Sequence, residues 1–268
     1  MAAATCKACR DPLVLEVEDE EGANDGSQFV PDDLELSCGC HFHWQCLLDQ
    51  SPEVSLSLKC PSCDAQLATN AAGPSATNQF VHVSSGVTIP TRYTNEGGVQ
   101  ENLDILPALT EEAYLEANPE ARRARAFHVM CSEGDVGPII DLLREAEQPG
   151  GDGDGGGFPT MSPAKLLRYQ DPLANMRSAL HVAVDAAQEE IVWLLLWLAS
   201  PLRTAAFPES ARHAAGAIGL QRPAVAAPQE DIRALADDRG RTAEALAAEK
   251  GGPWEVLVQA GVLRPGSS

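Results

Sequence analysis

The sequence predicts two unlike parts: a small N-terminal domain organised by bound metal, and a C-terminal array of repeats. Three observations carry this. Eight Cys and His residues at ligand-type spacing fall between Cys6 and Cys63. A stretch rich in small and polar residues follows, with little apolar periodicity. Beyond Pro119, similar apolar segments return in the same internal order.

The eight residues are Cys6, Cys9, Cys38, Cys40, His43, Cys46, Cys60 and Cys63. Their pattern is C-x2-C, a long gap, C-x-C-x2-H-x2-C, a shorter gap, and a closing C-x2-C. A two-residue gap lets one tight turn place two sulfurs on a single zinc ion at about 2.3 Å, so each pair is half of a tetrahedral site. Seven of the eight cysteines of the chain lie in this window. The alternative is a disulfide framework, which belongs to secreted chains; residues 1–6 carry no apolar signal region. Zinc is therefore expected. His41 reads as a turn residue, and the remote Cys131 as a small buried apolar side chain.

The segment from Cys38 to Cys46 (CGCHFHWQC) resembles the central motif of a RING finger, and Cys60-Pro61-Ser62-Cys63 resembles the closing Cys-Pro-x-Cys of that family. PHD fingers share the ligand order but leave more room before the histidine. Cys40 departs from the His common at the fourth ligand position. RING fingers are cross-braced, so the resemblance implies one zinc on Cys6, Cys9, His43 and Cys46, and a second on Cys38, Cys40, Cys60 and Cys63. It also implies a ubiquitin ligase that docks a charged conjugating enzyme on a face including Ala8, Leu47, Pro61 and Asp64, with no catalytic residue of its own. Three positions differ from the usual pattern. Ala8 replaces Ile or Leu, Gln50 replaces Trp, and Asp64 stands where a cation is common. A zinc-stabilised adaptor without transfer activity is the rival reading.

Charge and length bound the partners. The 268 residues carry a formal net charge of −20. Residues 1–70 hold three Lys or Arg against thirteen Asp or Glu. Nucleic acid and anionic lipid are repelled by such a surface, and basic protein surfaces are attracted. The longest strongly apolar run, 191–199, is about half of a membrane span. The expectation is a soluble chain of the cytoplasm or nucleus, neither secreted nor membrane-spanning.

Domain boundaries are expected at 1–69 (zinc finger), 70–109 (linker and docking segment) and 110–265 (repeats). The acid-rich stretch 16–33 reads as a solvated loop. Val99, Leu103, Ile105 and Leu106 read as anchors of extended chain. A helix is expected to start at Thr110, with Glu111 and Glu112 at its positive end, and to stop at Asn118-Pro119.

The repeat itself is carried by three segments: Ala126-Phe127-His128 leading to Gly134, Ser178-Ala179-Leu180-His181-Val182-Ala183 leading to Leu194-Leu195-Leu196, and Gly240-Arg241-Thr242-Ala243 leading to Gly251. They resemble ankyrin repeats, whose unit is about 33 residues. With Arg125, Ser178 and Thr242 taken as equivalent, the second step spans two repeat periods. That predicts a degenerate unit at Ser210, whose second helix Pro223 and Pro228 damage. Helix pairs are thus expected near 124–146, 178–199, 210–227 and 242–261, with a Gly-rich insert at 149–165. The two resemblances together imply a small cross-braced α+β RING domain followed by an all-α ankyrin stack that recruits a protein substrate.

Other motifs fall away. The Gly run lacks the Lys-Ser/Thr of a phosphate loop. Asp152 and Asp154 open like a calcium loop, but Pro163 stands where a bidentate Glu is needed. His128, His181 and His213 sit at a scaffold position of the repeat. Trp193 and Trp197, i and i+4 on one helix, admit two readings: cover by Phe207 and residues 201–208, or a partner-binding ridge.

Overall fold

The computed structural model describes residues 4–17, 28–68, 87–147, 161–217, 219, 222 and 230–266. The chain divides into two compact units, Met1–Asn118 and Pro119–Ser268. Three expectations therefore lie largely or wholly outside the described residues: the tip of the acidic loop, the stretch 69–86, and most of the Gly-rich insert.

In the N-terminal unit, β1 (Val14–Val17) and β2 (Gln28–Pro31) form an antiparallel hairpin. The chain expected as a solvated loop thus contains strands on either side of 18–27. A second sheet is built from β3 (Asp33–Leu36), β4 (His41–Phe42), β5 (Pro90–Asn95) and β6 (Gly98–Asp104). It is antiparallel throughout, in the order β4-β3-β5-β6. Along β3 the alternation Asp-Leu-Glu-Leu buries Leu34 and Leu36 and turns the two acids outward, the period of two that a strand imposes. Leu34 lies opposite Phe42 on one side and Tyr93 on the other.

Residues 90–104, within the expected linker and docking segment, are extended chain, as expected around Val99 and Leu103. They complete the sheet of the metal-binding unit, because β5 pairs with β3 from Asp33–Thr94 to Leu36–Thr91. Helices α1 (Trp44–Leu48), α2 (Ser51–Ser57) and α3 (Leu106–Ala117) cover the sheet, with α3 packed on both α1 and α2. The core gathers Leu34, Leu36, Phe42, Leu47, Val54, Ile89, Ile105 and Leu109. Helix α3 starts at Leu106, ahead of the expected Thr110. The Asp104 carboxylate accepts from the Leu106 and Ile89 amides at 3.2 and 2.8 Å, and Pro107 occupies the first turn, where a missing N–H costs nothing. The helix ends at Asn118, as expected.

The C-terminal unit is helical. Three packed pairs stand out: α4 (Ala121–Glu133) with α5 (Val136–Glu147), α7 (Ala179–Asp185) with α8 (Glu189–Ala199), and α10 (Ala243–Lys250) with α11 (Glu255–Gln259). A short α6 (Pro163–Arg168) precedes a small ribbon of β7 (Gln170–Asp171) and β8 (Arg177–Ser178). Ser178 and Thr242 cap α7 and α10, and at Ser178 the cap is reciprocal with His181. The isolated bridge Ala236–Thr242 repeats the β7–β8 turn one unit later. Neighbouring turns are tied together: Asp238 N donates to Asn175 O at 3.0 Å, and the Gln170 amide donates to Ala236 O at 2.6 Å.

Helix α7 lies between α4 and α10 and packs directly on both. That arrangement corrects the expectation of an intervening unit at 210. Residues Glu209–Ala217 do form a helix, α9, but it packs on α8 and leaves α10 to meet α7. His213 is accordingly exposed, whereas His128 and His181 are buried. The partner of α9 expected at 218–227 lies almost entirely outside the described residues. Cys131 is buried, and burial pushes its thiol up to about 12, as an inert packing residue requires.

Candidate metal centre

The two expected ligand groups are brought together. Cys6, Cys9, His43 and Cys46 form one cluster, and Cys38, Cys40, Cys60 and Cys63 the other; within each, the ligating atoms lie within 4.8 Å of one another. None of the eight cysteines forms a disulfide. Each cluster draws on ligands that flank those of the other along the chain, the interleaving that the resemblance implies.

Three turn types do this work. The Cys6–Cys9 and Cys60–Cys63 turns are built alike. In each, the residue after the second cysteine adopts a left-handed conformation, Arg10 at φ 73° and Asp64 at φ 58°. Its amide donates to the carbonyl of the first cysteine at 2.9 Å, Arg10 to Cys6 and Asp64 to Cys60. Each turn is closed by a single bridge, Thr5 to Pro12 and Lys59 to Gln66. The tighter Cys38-Gly39-Cys40 turn joins β3 to β4. Gly39 N donates to Leu36 O, Leu36 N donates to Cys40 O, and Gly39 sits at φ 78°, where a side chain strains the backbone. The third type is the start of α1, where one helical turn sets His43 and Cys46 side by side.

His43 presents Nδ1 to the sulfurs, 3.3 Å from Cys9 and 3.7 Å from Cys46. Its Nε2 lies 2.8 Å from Pro12 O and donates to it, which leaves Nδ1 as the lone-pair nitrogen and fixes the ring. The neighbouring His41 is in neither cluster. It pairs with Asp33 at 2.7 Å.

The charge state of the sulfurs asks for a cation. Burial opposes ionisation at Cys6, but hydrogen bonds from the Cys9, His43 and Ala8 backbone outweigh it and bring the thiol to about 7. Burial and the neighbouring sulfurs of Cys6 and Cys9 push Cys46 up to about 12. Cys60 is likewise pushed to about 12, by burial and then by the thiols of Cys63 and Cys38 over opposing backbone hydrogen bonds. Thiols crowded this closely cannot all ionise unless a divalent ion neutralises them. The donor sets, three sulfurs with one imidazole nitrogen and four sulfurs, are compatible with two zinc ions. With zinc bound, such closed sites supply folding energy and no open coordination position for a substrate.

Two supports went unforeseen. Asp32 is buried and accepts from the Trp44 amide at 3.2 Å and from the Tyr93 hydroxyl at 2.9 Å, tying β5 to the residue beside His43. Pro12, whose carbonyl orients His43, is the other. Asp32 was masked by the run of acids around it, and a backbone carbonyl leaves no mark on a sequence.

The expected partner-binding residues separate. Ala8 and Asp64 are exposed and Pro61 is half-buried. Leu47 is fully buried, packed in the core with Val54 and Leu109, so it is not part of an outer face. Trp193 is buried and Trp197 half-buried. Their rings lie 5.7 and 5.1 Å from that of Phe207, and Arg222 stacks over Phe207 and Trp197. The covering reading replaces the exposed ridge. Among the described residues, no helix is long and apolar enough to cross a membrane. No family model, no curated protein and no solved structure matches this chain.

Proposed function

We propose that the chain is a RING-type ubiquitin ligase. The observation that supports this is the interleaved pair of four-ligand clusters, in the order and spacing of the RING motif. A ligase of this kind forms no covalent intermediate. It holds a ubiquitin-charged conjugating enzyme so that a substrate lysine attacks the thioester, which is catalysis by positioning. Ala8, Pro61 and Asp64 form the docking face, beside the Cys6–Cys9 and Cys60–Cys63 turns. Read as ankyrin repeats, the three helix pairs of the C-terminal unit supply a rigid surface that selects the substrate.

A second reading, a zinc-stabilised adaptor, is favoured by that same face: Ala8 offers little apolar surface, and Asp64 places a carboxylate where a donor to ubiquitin is wanted. Autoubiquitination of the purified chain against a panel of conjugating enzymes separates the two. Chain formation that depends on Pro61 supports the ligase. Silence across the panel, with no conjugating enzyme bound, replaces it by the adaptor.

A further inference from the structure

The β1–β2 hairpin displays apolar side chains on both of its faces. Val14, Leu15, Val17 and Phe29 are 38–62% exposed, and they make up nearly half of the large exposed apolar side chains in the described chain. The register sets Leu15 opposite Val30 and Glu16 opposite Phe29. Leu15, Val17 and Val30 therefore share one face, and Val14, Phe29 and Glu16 the other. A two-stranded ribbon is marginal in water, and it is stabilised by a third strand or a packed face. Strand β2 lies toward β5, so β1 forms the outer edge, with outward N–H and C=O groups unmatched by any strand among the described residues.

Charge selects the occupant. From Asp11 to Leu58 there is no Lys or Arg, and the sequence from 16 to 25 alone holds six acids. Of the described acids near the hairpin, Asp11 and Glu16 are exposed, whereas Asp32 is buried, Asp33 pairs with His41 and Glu35 with Arg92. A second copy would set this acidic segment against itself, and the net charge of −20 opposes nucleic acid and anionic membranes as well. We infer that the hairpin docks an extended segment of a partner protein, one that alternates basic and apolar residues and adds antiparallel or parallel to β1 as a third strand. Its apolar residues pack on Leu15 and Val17, and its cations face Glu16 on the opposite side, the alternation that strand addition reads. This surface is independent of whether the zinc unit transfers ubiquitin.

The test uses the zinc-loaded full chain and a fluorescent peptide of alternating Lys and Val, with a Glu-Val peptide and an alternately N-methylated Lys-Val peptide as controls. Anisotropy should show binding of the Lys-Val peptide, weakening with salt and falling by about tenfold or more on backbone methylation. Leu15→Ser with Val17→Ser should lower it by a similar factor, at unchanged zinc content. Glu16→Lys, a surface change that does not disturb packing, should shift preference toward the Glu-Val peptide. Absence of binding, equal binding of both peptides, or indifference to all three substitutions overturns the inference. So does sedimentation of the wild type as a dimer that Leu15→Ser and Val17→Ser dissociate.

Discussion

Single residues decide how the ligands are aimed. Gly39 has open space where a Cβ would stand, so its requirement is conformational: φ 78° between Cys38 and Cys40. Gly39→Ala should therefore cost about 1 kcal/mol of stability, seen as a lower chelator concentration for unfolding. Gly134 differs, since a Cβ there would meet the Gln188 side chain at 2.6 Å in addition to a φ of 87°. His128 gives the C-terminal unit a pH dependence. Burial holds its ring at about 4 against 6.5 in the unfolded chain, the Tyr169 backbone offsetting only part, with Arg125 and His181 adding repulsion. The unfolded state thus binds the proton first. Stability is full above pH 6.5 and declines as pH falls toward 4, by ~3 kcal/mol at the limit. Urea midpoints at neutral and mildly acidic pH should differ in the wild type and converge in His128→Leu; equal midpoints in the wild type would remove His128 from this role. At the proposed docking face, Ala8→Ile should strengthen ubiquitin transfer, with up to ~2 kcal/mol of affinity regained, or roughly thirtyfold.

At the scale of elements, the parts the sequence disclosed were those with local signals. The eight ligands followed from their spacing and their division into two sites from the RING resemblance, while the helix starts near 178 and 242 followed from the repeated segments. Extended chain was legible around Val99 and Leu103, but the pairing of 90–95 with β3 was not, because β3 lies far upstream in the chain and Thr-Arg-Tyr-Thr shows no apolar alternation to announce a strand. Helix α3 begins ahead of the start that Thr110-Glu-Glu imitates, because Asp104 and Pro107 make one earlier. The unit at 210 was a correct helix with an incorrect place: equal spacing along the chain does not distinguish a stacked repeat from an insertion lying against α8. Since β5 and α3 cover Leu34 and Val54, a fragment ending at residue 69 should bind zinc without a cooperative melt. A fragment ending at Asn118 should melt cooperatively, and identical melts from the two would contradict the extended boundary. In the other unit, Leu195 is wholly buried, and Leu195→Ala should cost about 2–5 kcal/mol in denaturant unfolding through the cavity left.

Taken whole, the chain joins a unit that carries two clusters of metal-ligand type to a helical unit built on apolar packing. The first places seven sulfurs and one imidazole around two centres; the second buries Phe127, Leu180, Leu195 and Trp254 in one continuous core. Metal removal should accordingly unfold the first unit and spare the helical one, since only the first draws its folding energy from ligation. X-ray absorption at the zinc edge of the full chain tests the central claim most directly. Seven sulfurs at about 2.3 Å and one nitrogen at about 2.0 Å, shared by two ions per chain, are expected. A shell of sulfur alone, a shell dominated by oxygen and nitrogen, or a single ion per chain would contradict it.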